Sequence, residues 1–249
     1  MTAGAPDRRK VRLGDCSRSP AYTGATTAKL TMRTLLPWLG LLAALPTLVA
    51  SAQAQGGVCK PVEERKTEVG CWILADAPIG RLIGAQTYWH LDTYLTREDA
   101  ARAKGPRSVI LDALHAMWLL RIADNPNWRP AKAGRHLADI GPLPIVPGST
   151  YSAMYMEAVF NPGMTAPAHT HSGPEAWYTQ AGETCLETPQ GKQIGRPGQQ
   201  VIVPEGLPMH LTATGHTQRR AVVLILHDSS KPPTTMVHDW KPKGLCKTN

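Results

Sequence analysis

The sequence predicts a mainly β protein, an antiparallel sandwich or barrel over residues 136–230 with a smaller α+β extension ahead of it. Three observations predict it. Residues 136–230 break into short strand-like runs parted by Gly and Pro turn signals. Those runs either alternate, as Tyr151 to Phe160 does, or are apolar throughout, as Ala221 to His227 nearly is. Within them, His169 and His171 stand two apart, with Glu175 four residues further on.

Residues 1–54 are set aside as lying outside the fold. Met32-Arg33 opens a basic start, Leu35 to Val49 is largely apolar, and Ala52-Gln53-Ala54 fits a small-residue cleavage site. A bilayer span needs about 20 apolar residues, and no stop-transfer pattern follows. The expectation is a signal peptide over 32–54 cleaved near Ala54, a secreted or periplasmic protein, and no stable membrane contact. Residues 1–31 are Arg-rich and poor in acids. They read as an upstream extension, with Met32 the working start.

Charge is concentrated in that leader. The whole chain carries +8, with 27 Lys and Arg against 19 Asp and Glu. Seven of the basic and two of the acidic residues precede Gln55, which leaves 20 against 17, or +3. The basicity that would have pointed to nucleic acid leaves with the leader, so no nucleic-acid partner is expected. Past the leader four cysteines remain: Cys59, Cys71, Cys185 and Cys246. In an oxidising compartment they predict two disulfides, with three pairings open. Cys59 with Cys71 would close a short loop, and Cys185 with Cys246 would tie the tail, 231–249, to the barrel.

Within 55–135, strands are expected at Cys71 to Leu74, Gln86 to Tyr94 and Ser108 to Ile122. Thr96 reads as a cap for a helix from Arg97 to Lys104, stopped by Gly105-Pro106. Ser108 to Ile122 either bends in the middle or is helical over Leu111 to Leu120. In 136–230, strands continue through Trp177 to Thr179, Glu183 to Thr188 and Val201 to Val203. Turns fall at Gly182, Pro189-Gln190-Gly191, Pro204-Glu205-Gly206 and Thr214-Gly215.

On a strand, residues two apart face the same side, so His169 and His171 point together. The bend at Gly173-Pro174 lets Glu175 swing back to meet them. Two imidazoles and a carboxylate suit a divalent first-row ion, Mn, Fe, Ni, Cu or Zn, with positions left open. His90, His115, His136 and His227 are read as packed or half-exposed residues. No G-x-S-x-G, Walker loop or dinucleotide glycine pattern occurs, so acyl, phosphoryl and nicotinamide chemistry have no support.

The spacing from Gly163 to Gly182, G-x5-H-x-H-x3-E-x6-G, resembles the first motif of the cupin superfamily position for position. The second motif of that family, G-x5-P-x-G-x2-H-x3-N, is met at Gly198, Pro204 and Gly206 but holds Met209 where His belongs. His210 follows one step late. The resemblance covers about residues 136–230 and implies a small antiparallel jelly-roll barrel with a metal inside. Under it, residues 55–135 are either an α+β extension or a degenerate first cupin. A bulge near Pro208 would turn His210 inward as a fourth ligand; without one, Met209 faces in.

Three functions follow. The first is a metalloenzyme, oxygenase- or isomerase-like, acting on a small organic molecule, with Glu175 as the residue that takes a proton. The second is a binder that uses the metal as a clamp. The third is a structural cupin with an eroded, metal-free site. A homodimer through an edge strand is also expected.

Overall fold

The computed structural model describes residues 59–84, 86–130 and 134–247; the leader readings, 1–31 and 32–54, lie outside the described residues. In chain order the strands begin with β1 (Lys60–Pro61), β2 (Gly70–Arg81) and β3 (Tyr88–Tyr94), followed by helix α1 (Arg97–Ala103). Then come β4 (Ser108–Ala113), β5 (Ala116–Ala123), β6 (Arg135–Ile140), β7 (Thr150–Phe160), β8 (Thr165–His171) and β9 (Glu175–Ala181). The remainder are β10 (Glu183–Thr188), β11 (Gly191–Gly195), β12 (Gln200–Val203), β13 (Met209–Thr214), β14 (Arg219–Asp228) and β15 (Thr234–Met236).

They form three sheets in three layers. The central sheet runs β1-β2-β7-β14-β9-β12, a second runs β11-β10-β13-β8-β15, and a third runs β4-β5-β3-β6. Apart from the short parallel pair β1-β2, every pairing is antiparallel. The first two sheets face each other as a cupin-type jelly roll.

Alternation explains the layering. Met156, Ala158, Phe160, Val223 and Ile225 of the central sheet pack inward on Leu186, Met209 and Leu211 of the second. Tyr151, Ala153, Tyr155, Val222, Leu224 and Leu226 point the other way, onto Trp89, Leu91, Trp118 and Leu120 of the third. β14 is therefore buried on both faces, which is why its sequence is an unbroken apolar run. Glu157, also on the outer face of β7, accepts a bond from Leu114 N at 3.0 Å and pairs with Arg65. It pins the β4–β5 turn to the central sheet.

Helix α1 begins where expected, Thr96 Oγ1 accepting from Asp99 N at 3.1 Å, a cap worth about 1 kcal/mol. Ser108 to Ile122 is a hairpin rather than a helix. Leu114 and His115 take φ of 51° and 61° at its turn, and no Asn-Gly marks it. The two jelly-roll sheets also reach beyond 136–230. β1 and β2 come from the 55–135 stretch and β15 from the tail, while β6 belongs to the third sheet. Pro78 obscures the full length of β2 in sequence. A proline is tolerated there because β1 covers only Trp72 and Ile73, leaving the rest an edge. The third sheet with α1 makes one open layer on the outer face of the central sheet.

Cys59–Cys71 and Cys185–Cys246 are both bonded, with sequence separations of 12 and 61. In the loop-entropy account these closures stabilise by about 3 and about 4 kcal/mol respectively. Replacing Cys185 and Cys246 by Ala is thus expected to lower the denaturation midpoint more than replacing Cys59 and Cys71. Urea unfolding of the two double variants checks the order. Among the described residues no helix is long and apolar enough to cross a membrane.

Candidate metal centre

β8 lies in the second sheet and β9 in the central one, so the two histidines and the glutamate reach the space between the sheets from opposite walls. The connection is tight. Gly173 passes against the backbone of Leu226 and His227. Leu226 N bonds Pro174 O at 2.9 Å and Asp228 N bonds Ser172 O at 2.8 Å. Glu175 then enters β9 paired between Ile225 and Val203.

The ligand atoms of His169, His171 and Glu175 all lie within 4.8 Å of one another. His171 Nε2 and Glu175 Oε2 are 3.5 Å apart. Two atoms each about 2.1 Å from one ion would be roughly 3–4 Å apart, so the spacing fits a shared cation. Tautomers agree. His169 Nδ1 is 2.6 Å from Pro167 O and His171 Nδ1 is 2.9 Å from Pro233 O. A carbonyl only accepts, so both Nδ1 atoms carry a proton, and in the neutral ring that leaves each Nε2 lone pair available to ligate.

His171 and Glu175 are buried, and neither Nε2 nor Oε2 has a hydrogen-bond partner among the described residues. Two buried electron-rich atoms facing each other without a donor are costly to leave so. A cation between them removes that cost, and the donor set of two imidazoles and one carboxylate fits a divalent first-row metal.

Burial lowers the pKa of His169, and His171 lowers it further, outweighing Glu175 and the Pro167 carbonyl. For Glu175 burial pushes upward, but His171, His169 and Arg219 together pull it below the ordinary value. The carboxylate of Glu175 and the neutral imidazole of His169 are the forms these directions favour, and each is the ligating form of its group.

His210 lies outside the His169–His171–Glu175 cluster. β13 does meet an irregularity, because Met209 pairs with His169 while Leu211 pairs with Ala166. The extra residue sits in β8, at Pro167–Ala168, and not in β13. Alternation along β13 is therefore kept: Met209 and Leu211 line the cavity, and His210 turns outward opposite Glu187. The bulge expected near Pro208 belongs to Pro167, whose freed carbonyl orients His169. Burial lowers the pKa of His210, opposed by Glu187.

Four of the other histidines pair with acids elsewhere: His90 with Asp139, His115 with Glu68, His136 with Asp92 and His227 with Asp76. Three contributors went unread in sequence. Pro233 and Thr234, from the tail, hold His171 as β15 pairs with β8. Arg219, fully buried, enters the same cavity from the start of β14. An arginine opening an otherwise apolar strand was the only signal available for it.

No family model and no curated relative matches the chain. Solved structures do. A cupin-like protein from Thermotoga maritima aligns at 16% identity and TM-score 0.32, over 34% of this chain and 64% of that one. A DMSP lyase from Ruegeria pomeroyi aligns at 24% and 0.31, over 37% and 45%. An oxalate oxidase in complex with the substrate analogue glycolate aligns at 23% and 0.29, over 36% and 49%. The chain thus spans less than two thirds of each of these structures. On its own sheet order and on the placement of the first ligand motif between facing sheets, this chain has the cupin fold.

Proposed function

We propose that this chain is an exported cupin that holds a divalent transition metal on His169, His171 and Glu175 and takes a small organic molecule beside it, as an oxygenase- or isomerase-like metalloenzyme. The observation that carries this reading is the pair of buried, partnerless atoms, His171 Nε2 and Glu175 Oε2, facing each other 3.5 Å apart. They open on a cavity of about 200 Å³ whose walls are mostly apolar. When bound, the metal would supply Lewis-acid polarisation of substrate oxygens. The chain's own part is to orient that molecule, exclude water and offer Glu175 as a proton acceptor. Elemental analysis of the exported protein, with turnover assayed on flavonols, oxalate and keto-acids, tests it. Bound metal with turnover lost in His169→Ala supports the enzyme; absence of metal overturns the reading.

A non-catalytic binder is the second reading. It is favoured by Glu175 being the only carboxylate on the cavity wall among the described residues, and a prospective metal ligand as well. Bound metal and ligand without turnover would select it. Export agrees with two disulfides in one chain. Sequencing the N-terminus of the mature protein tests cleavage near Ala54.

Metal affinity is expected to respond to acid. The His169 pKa lies below its ordinary 6.5, so the ligating form outlasts that of a free histidine as pH falls. Affinity should therefore stay level from about pH 8 to about 6.5 and weaken below that as protons compete for the ligands. Competition titrations with a chelator across that range measure it. Affinity that rises on acidification would remove the histidines from the site.

A further inference from the structure

We infer that Arg219 anchors a carboxylate on the molecule that enters the cavity, so that the ligand class is a small apolar acid held at one end by Arg219 and presented at the other to His169, His171 and Glu175. The inference rests on the cavity being the ligand site proposed above.

Arg219 is 1% exposed, yet it lines the same cavity as the three ligands. The only hydrogen bond of its side chain among the described residues runs from Nε to Thr184 Oγ1. Neither terminal amino group makes a hydrogen bond to a described residue, and no described carboxylate lies within ion-pair distance. A buried cation in that condition is costly. Glu175 is near enough to feel its charge but is turned to His171 Nε2. Burial lowers the Arg219 pKa to about 10, so the guanidinium stays charged at neutral pH.

The rings of Phe160 and Trp177, with centroids 5.7 and 5.8 Å from Cζ, hold the guanidinium in place. What remains free is a planar two-pronged donor, the geometry that matches a carboxylate and that an ammonium lacks. The walls between Arg219 and the ligands include Ile73, Met154, Met156, Leu211 and Val223, so the body of the ligand is apolar. A void of about 150 Å³ is enough to hold benzene, and this one is about 200 Å³.

Position along the strand sets the ligand's direction. Ile225 is the β14 partner of Glu175, and Arg219 stands six residues before it, roughly 20 Å of strand that the two side chains close from both ends. The cation and the ligand set therefore occupy different levels of one cavity. With a divalent ion bound, Glu175 and Arg219 would leave an excess of two positive charges in apolar surroundings, which favours an anionic occupant.

Benzoate and benzamide share a shape and differ in charge. Metal-loaded wild-type protein is expected to bind benzoate at least about tenfold more tightly than benzamide in calorimetric titrations. Arg219→Met, with its metal content unchanged, should narrow that gap to about twofold or less. A crystal structure of the wild type with benzoate gives a readout that does not depend on the variant folding. A carboxylate on the Arg219 amino groups supports the anchor; one turned to His169 and His171, with the ring against Arg219, overturns it. Equal binding of the two probes, or an Arg219→Met protein that keeps metal and the full preference, also overturns it. Metal content of the same samples separates the two readings: benzoate on Arg219 in a metal-free wild type keeps the anchor and removes the metal.

Discussion

His171→Ala is expected to empty the metal centre. Wild-type protein should carry about one transition-metal ion per chain, and the variant less than about a tenth of that after dialysis. The magnitude follows from what each group contributes. Loss of a group that merely orients a ligand costs roughly 10–100-fold in metal affinity, and His171 is itself a ligand whose Nε2 has no other partner among the described residues. With it gone, His169 and Glu175 remain, one from each facing sheet, too few to hold the ion against competing water. The same variant also vacates the Pro233 carbonyl, so it must be checked for folding by circular dichroism. Glu175→Gln, which keeps size and removes charge, provides a second route to the same test. His210→Ala should retain the ion at full stoichiometry, because that ring faces away from the cavity. Metal retained in both His171→Ala and Glu175→Gln would place the ion elsewhere.

What was legible in the sequence and what was not divides along physical lines. The His169-His171-Glu175 spacing was readable because strand periodicity and one tight bend fix where three side chains go. Helix α1 was equally local in its signal, whereas the disulfide pairing was left with three choices because Cys185 and Cys246 stand 61 residues apart. His210 was misplaced because register is a property of two strands. The residue that absorbs the slip, Pro167, lies on the partner of β13, and no inspection of 204–214 alone reveals it. Pro233 was missed because the three-residue strand it precedes carries no pattern, and its contribution is a backbone carbonyl available from any residue type. Arg219 was missed because its importance lies in the absence of a partner, a fact about three-dimensional surroundings. Of the third sheet, β6, Arg135–Ile140, was hidden because it is polar on the side that pairs Asp92 with His136 and His90 with Asp139.

Three glycines of the ligand loop region should differ sharply when each is replaced by alanine, since the chain requires each for a different reason. Gly163 has φ of +85° with open space around it. Gly163→Ala should cost only the left-handed backbone strain, about 1–2 kcal/mol, or roughly 2–8 °C in melting temperature for a chain of this size. Gly182 combines φ of +69° with a crowded site, where an added Cβ would lie 2.6 Å from Arg219 Cα and 2.6 Å from Gln218 O. Strain and backbone displacement then add, to about 3–5 kcal/mol, and the shift moves Arg219 itself. Gly173 needs no left-handed backbone, but a Cβ there would run into Leu226 O and come within 2.9 Å of His227 Cα. Gly173→Ala must push the His171–Glu175 turn off β14, breaking the Leu226–Pro174 and Asp228–Ser172 bonds that aim Glu175 at the histidines. It is therefore expected to lose metal along with stability, whereas Gly163→Ala should lose little of either. Thermal melts and metal content of the three variants measure this. A Gly182→Ala protein as stable as Gly163→Ala would mean that β9, β10 and β14 do not approach as closely as the ligand arrangement demands.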